Sequence, residues 1–297
     1  MFGFLVLSIA SLCPWGFNIH QPTQGQDEIA WRTGKELENF LTQPLSITLT
    51  GAPLREELGR FAEQQRVGLF IDRRVDPGTP IELVSKNQTF EQILWQVADE
   101  NQLGVCRLAD FYYLGPPETT DILPMLWQQM VQQRRPLSAQ QRRSQPIDWT
   151  KKYQLHWDYL SVPDQLMREL SRQHGFSVRL DQMKPPNQDD NWLPHDLWPK
   201  ISLPDLELEG QIGLLLVGFG FWFERLSSEN EISVIPFPAM ERGRFEFAAG
   251  KTGRQLLNQL KDQFPNCQFS QSGTTIRATG SPQQLRDVRR RLTDIAE

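Results

Sequence analysis

One pattern is written twice along this chain. An extended apolar run leads into an amphipathic helix, a short strand, a second strand, a second helix, and a hairpin that closes on Gly or Pro. The first copy occupies residues 45–115 and the second 153–236. A shorter relative fills 244–297. This order predicts an α+β fold made of tandem small βαββα-type units, each with its helices packed on a small mixed sheet. A unit this small has a thin core, so each is expected to lean on its neighbour.

The elements follow from spacing. Leu45, Ile47 and Leu49 alternate onto one face, as in a half-buried strand. Gly51-Ala52-Pro53 ends that run, and Pro53 suits the opening of a helix. Leu54, Leu58, Phe61 and Ala62 then form one stripe. Strands are predicted over 67–71 and 81–84, on either side of an Asp76-Pro77-Gly78 turn. Thr89 caps a helix whose stripe is Phe90, Ile93, Leu94, Val97 and Ala98. A hairpin over 105–114 turns at Ala109-Asp110.

The second copy repeats this grammar. A strand over 153–159 precedes a helix opened by Ser161-Val162-Pro163, with Leu166, Met167 and Leu170 inward. Strands over 176–180 and 200–203 stand on either side of a Pro- and Asp-rich insertion, 184–199. An apolar helix over 206–218, shortened by its glycines, leads to a hairpin over 221–235. In the third unit Phe245 and Phe247 mark a strand, and Thr252 caps a helix bearing Leu256, Leu257, Leu260 and Phe264. Strands over 268–270 and 274–279 follow, and Ser281-Pro282 starts a helix with Leu285, Val288, Leu292 and Ile295 inward.

These elements divide the chain into five parts. They are a signal-like apolar segment and spacer (1–26), a first unit (27–116), a helical then basic connector (117–146), a second unit (147–238) and a third unit (239–297). A short helix over 31–41 precedes the first copy. Ile122, Leu123, Met125, Leu126, Met130 and Val131 allow a helix in the connector, and Arg134, Arg135, Arg142 and Arg143 then stand among many Gln in a charge run that reads as a solvated face.

The first charged side chain is Asp27. Residues 1–12 are apolar but too few to cross a bilayer, which takes about 20. They fit the apolar part of a secretory signal, with Ser8 and Ala10 as small residues near a cleavage site, although no Lys or Arg precedes them. Export to the periplasm or cell envelope is therefore expected. Membrane association is expected only if Cys13 is lipidated, and Leu12 stands where a small residue normally precedes a lipidated Cys. Cys106 and Cys267 read as buried, inert thiols.

The first copy resembles the short N-terminal domain of secretins and TonB-dependent transducers. The resemblance rests on Leu45-Ser46-Ile47-Thr48-Leu49, the helix from Leu54 to Ala62, Thr89-Phe90-Glu91-Gln92-Ile93-Leu94, and Leu103-Gly104-Val105 with its hairpin. The second copy is a degenerate version carrying the insertion. The third unit is similar to a secretin-type periplasmic domain, most closely over Thr275-Ile276-Arg277-Ala278-Thr279-Gly280-Ser281-Pro282. The resemblance implies modules in the periplasm that contact other envelope proteins and carry no catalytic residues. No β-barrel or pore segment follows the third unit, so a channel formed by this chain alone is not expected.

The chemical motifs point the same way. A phosphate-binding loop ending at Gly250-Lys251-Thr252 needs a glycine where Phe245 stands. Gly250-Lys251-Thr252-Gly253 has the spacing of a nucleic-acid clamp but joins a strand to a helix, and the net charge of -5 disfavours phosphate. None of His20, His156, His174 and His195 has a second ligand at metal spacing. His195-Asp196 near Asp189-Asp190 reads as a solvated loop. The expectation is no enzyme, no cofactor, no metal and no nucleic-acid partner.

Tryptophan is the remaining signal. Trp149, Trp157, Trp192, Trp198 and Trp222 stand in or beside the second unit. Trp157 and Trp222 suit a core. Trp192 and Trp198, at the insertion, are the candidate ligand or partner contacts. Two functions remain open. One is an adaptor that holds an envelope protein, for which open strand edges offer a route. The other is glycan or peptidoglycan binding by stacking on Trp192 and Trp198.

Overall fold

The structure, a computed structural model, describes residues 29–132, 147–180, 193, 196–226, 230–248 and 253–295. The signal-like segment with Cys13, the basic stretch of the connector, most of the insertion including Trp192, and the Gly250-Lys251-Thr252 stretch lie outside the described residues.

The first unit runs α1 (Gly34–Leu41), β1 (Leu45–Pro53), α2 (Leu54–Gln64), β2 (Gly68–Ile71), β3 (Pro80–Gln88), α3 (Phe90–Glu100), β4 (Gly104–Leu108) and β5 (Phe111–Gly115). The fold is α+β, but the strands form two sheets and not one. β1 and β3 pair as an antiparallel ribbon. β5 is the middle strand of a second sheet, parallel to β2 and antiparallel to β4. β3 extends past the predicted 81–84 because residues 85–88 are polar and give no apolar run, while their backbone still pairs with β1. Thr89 caps α3 as expected: its Oγ1 accepts from the Gln92 amide at 3.3 Å, and Gln92 Oε1 accepts from the Thr89 amide at 2.8 Å.

The second unit has the same wiring. It runs β6 (Lys152–Trp157), α5 (Pro163–His174), β7 (Ser177–Arg179), β8 (Ile201–Glu207), α6 (Leu208–Val217), β9 (Phe221–Arg225) and β10 (Glu231–Pro236). β6 pairs antiparallel with β8, and β10 lies between β7, to which it is parallel, and β9, to which it is antiparallel. The insertion falls between β7 and β8, where the first unit has the Asp76-Pro77-Gly78 turn. Gly175 ends α5 in the left-handed region at φ 75°, which glycine adopts without a Cβ clash. α6 is apolar and buried on every side. Its glycines are seats for indoles: a Cβ at Gly210 would stand 2.7 Å from Trp127 and one at Gly213 would stand 2.9 Å from Trp222.

The third unit runs β11 (Gly243–Ala248), α7 (Gly253–Gln263), β12 (Gln268–Ser272), β13 (Thr275–Gly280) and α8 (Pro282–Ile295). It is a βαββα unit with an antiparallel sheet in the order β11-β13-β12. Leu260, Ala278, Leu285 and Val288 form its small core. Ser281 and Gln284 cap α8 reciprocally, at 3.3 Å and 2.8 Å.

The units share surfaces to different degrees. Leu54, Leu58, Phe61, Phe90, Ile93, Tyr112 and Leu114 give the first unit its own core. Strand alternation sends Phe70, Phe111 and Tyr113 to the opposite face of the β2-β5-β4 sheet. That face is continuous with the core of the second unit. The helix predicted at the start of the connector is present as α4 (Pro117–Gln132) and packs between the units, while the basic run after it lies outside the described residues. Leu123, Leu126 and Met130 enter the second unit's core, and Met125 enters the third's. All three units meet on this helix.

Candidate functional site

A cleft of about 710 Å³ opens between the first and third units. One wall is α3 and β4, the floor is α4, and the far wall is β11, α7 and α8. Trp95, Val105, Leu108, Trp127, Phe245 and Phe247 make its apolar surface. Phe245 and Phe247 are two apart on β11, so they share a face, and their rings stack with centres 5.3 Å apart. Side chains alternate along a strand, so a cavity that meets one face touches every second residue. This cleft touches Val105, Cys106, Arg107 and Leu108 in succession, and Phe245, Glu246 and Phe247 in succession. Both stretches belong to outer strands, since β4 and β11 each stand at the end of their sheet.

Ion pairs hold the walls at this spacing. Arg290 reaches from α8 to Asp99 on α3 at 2.6 Å and lies 5.5 Å from the centre of the Trp95 ring. Arg286 pairs with Asp121 of α4 at 3.3 Å. Met125 fills the space beside Gly243, where any Cβ would collide with its sulfur.

Most charges around the cleft are matched. Arg107 forks onto Glu38 at 2.7 and 3.3 Å, and Glu246 pairs with Arg277 at 2.7 Å. Burial pushes the Glu91 carboxyl up, against the pull of Arg107. Arg289 is different. Its Nη2 donates to the Asp121 carbonyl at a long 3.4 Å, and its buried Nη1 has no hydrogen-bond partner among the described residues. The guanidinium lies 5.6 Å from the centre of the Phe245 ring. Burial lowers its pKa, with Cys106 and Asp121 opposing that shift. An arginine in this state favours an anionic oxygen beside it.

The structure does not bring Trp198, one of the two predicted contact residues, to this cleft. Trp198 is 4% exposed. Its ring stacks on Phe219 with centres 5.7 Å apart, lies 5.2 Å from Trp157 and 6.3 Å from Phe70, and its indole N–H donates to Asp196 at 2.9 Å. It is a core residue between the first and second units, not a surface platform. The Pro- and Asp-rich composition reads as solvated, yet the chain returns from it through a Ser161–Trp198 bridge that draws Trp198 inward. Trp157 and Trp222 are buried as expected. Trp192 lies outside the described residues. Arg73 of the first unit pairs with Asp196 and covers the Phe219 ring at 4.7 Å, which seals the same interface.

The remaining polar candidates stand apart. His156 lies 3.5 Å from Asp158, and His174 packs on Tyr153 at 4.5 Å. His20, His195, Asp189 and Asp190 lie outside the described residues. No group of three His, Cys, Asp or Glu that could hold a metal occurs among the described residues. Cys106 and Cys267 are free, buried thiols in different units. Among the described residues no helix is long and apolar enough to cross a membrane.

The cleft was not legible as a site because segments far apart in the chain, from Glu38 to Thr293, build it. One signal was present. Arg289 stands four residues after Leu285 and next to Val288, a charge on the apolar stripe of α8. Comparison with models of known protein families and with curated proteins gives no match for this chain.

Proposed function

We propose that this chain is a non-enzymatic protein of the cell envelope, exported to the periplasm or envelope, which acts as a protein–protein adaptor. The observation that carries the reading is the shared connectivity of residues 45–115 and 153–236. The first of these segments is similar in pattern to the short N-terminal domain of secretins and TonB-dependent transducers. The second is wired in the same way. A βαββα unit similar to the secretin periplasmic type follows. Modules of that kind hold other proteins of an envelope machine.

Strand edges supply the physical route. β12 is the outer strand of the third sheet and is exposed along most of its length, so one side of its backbone is open to a partner strand. Glycan binding is the weaker reading, because it needs two stacking rings at the insertion and one of them, Trp198, is enclosed.

Cell fractionation followed by crosslinking and purification of the full-length chain tests the proposal. The expected result is recovery from the envelope fraction together with a discrete protein partner. Recovery from the cytoplasm, or from the envelope with no crosslinked protein, would end it.

A further inference from the structure

We propose that the cleft between the first and third units binds an extended peptide segment that carries a carboxylate, laid beside β4 and β11 with its carboxylate on Arg289. The proposal rests on the adaptor reading and names the chemistry of the partner segment.

Three observations converge. First, the cleft is lined by successive residues of β4 and β11, outer strands whose backbone groups are paired on one side only within their sheets. An extended chain can satisfy such groups, whereas a compact small molecule cannot. β11 is six residues long, which at about 3.3 Å per residue gives a track of about 20 Å. Second, the lining alternates aromatic and aliphatic surface with few charges. Phe245 and Phe247 present one face, and Trp95 and Trp127 stand opposite and below. An extended segment with apolar side chains at alternate positions matches that surface. Third, the charges are nearly closed. Glu38 engages Arg107 and Glu246 engages Arg277. Among the charged side chains that line the cleft, Arg289 keeps a buried N–H without a partner among the described residues, as the Trp95 indole does among the neutral ones. An acidic side chain or a C-terminal carboxylate would give the Arg289 N–H an acceptor.

The probe is a library of eight-residue peptides, screened on immobilised full-length protein. Selected peptides are then measured by fluorescence anisotropy and by hydrogen exchange. The expected outcome is enrichment of peptides with an acidic residue or a free C-terminus between apolar residues. Binding should weaken at least tenfold when that carboxylate is amidated, and at least tenfold in Arg289→Gln. Amides of β4 and β11 should gain protection on binding. Phe247→Glu, which places a negative charge in the apolar lining while leaving Arg289 in place, should weaken binding as well. Circular dichroism and a melting curve establish that each variant is folded.

Three results would overturn the proposal. They are no enriched peptide, peptides whose affinity ignores both Arg289→Gln and amidation, or equal Arg289-dependent binding of decanoate with no added protection in β4 and β11. The two proposals fail separately. An envelope partner recovered by crosslinking, with no peptide held in the cleft, removes the cleft assignment and leaves the adaptor. Peptide binding without an envelope partner removes the adaptor and leaves the cleft.

Discussion

Truncating Trp198 separates two roles that a tryptophan can take. As a stacking platform on a solvated insertion it would tolerate alanine with little change in stability, within about 0.5 kcal/mol. In the structure it fills the seam between Phe70, Trp157 and Phe219. Trp198→Ala is therefore expected to cost about 3–5 kcal/mol, read as a shift in the urea midpoint. A change under 0.5 kcal/mol would place the ring outside the core. Cys106 offers a second test at this scale. Burial pushes its thiol from 9.0 up to about 12. Between those values the unfolded chain has released a proton that the folded chain keeps, so stability falls as pH rises through that window. The wild type should lose more stability than Cys106→Ala on going from about pH 8 to about pH 10.5, because only the wild type contains this thiol. Parallel pH profiles for the two would contradict the burial.

At the scale of elements, periodicity is informative where one face is wet. Leu54, Leu58, Phe61 and Ala62 are all buried because α2 has a solvent side that breaks its sequence into a stripe. The same logic finds α5 from Leu166, Met167 and Leu170. It is silent on which strands pair, since an apolar alternation fits any neighbour. Thus the split into a ribbon and a separate three-stranded sheet was not readable. It also does not say what an element buried on several sides packs against. α4 sends Leu126 toward the second unit and Met125 toward the third, so its apolar residues do not fall on one stripe, and the basic stretch after it reads as a solvated face. Leu126→Ala should cost about 2–5 kcal/mol and loosen the contact between the first and second units. Urea unfolding gives the first quantity, and faster proteolysis of the second unit checks the other. An unchanged midpoint would return α4 to the role of a spacer.

For the molecule as a whole, the repetition of wiring matters more than the content of any single core. The first unit keeps a core of its own, while the second completes its core against the outer face of the first unit's sheet. The two copies therefore share one connectivity but not one degree of independence. Proximity in sequence could suggest that neighbours lean on each other. It could not show that Phe70 and Tyr113 are the surface leaned upon, because every residue of β2 and β5 is buried and no polar face marks an orientation. The third unit is held across the cleft by Arg286 and Arg290, an arrangement set by tertiary contacts alone.

The shared wiring makes a narrow claim about two parallel strand pairs. Nuclear Overhauser contacts between backbone protons should place Leu69 beside Tyr112 and Val178 beside Ile232, with both pairs in parallel register. Observation of both pairs would establish that the chain builds one plan twice. An antiparallel or absent pairing in either copy would show two unrelated units and remove the basis for the adaptor reading.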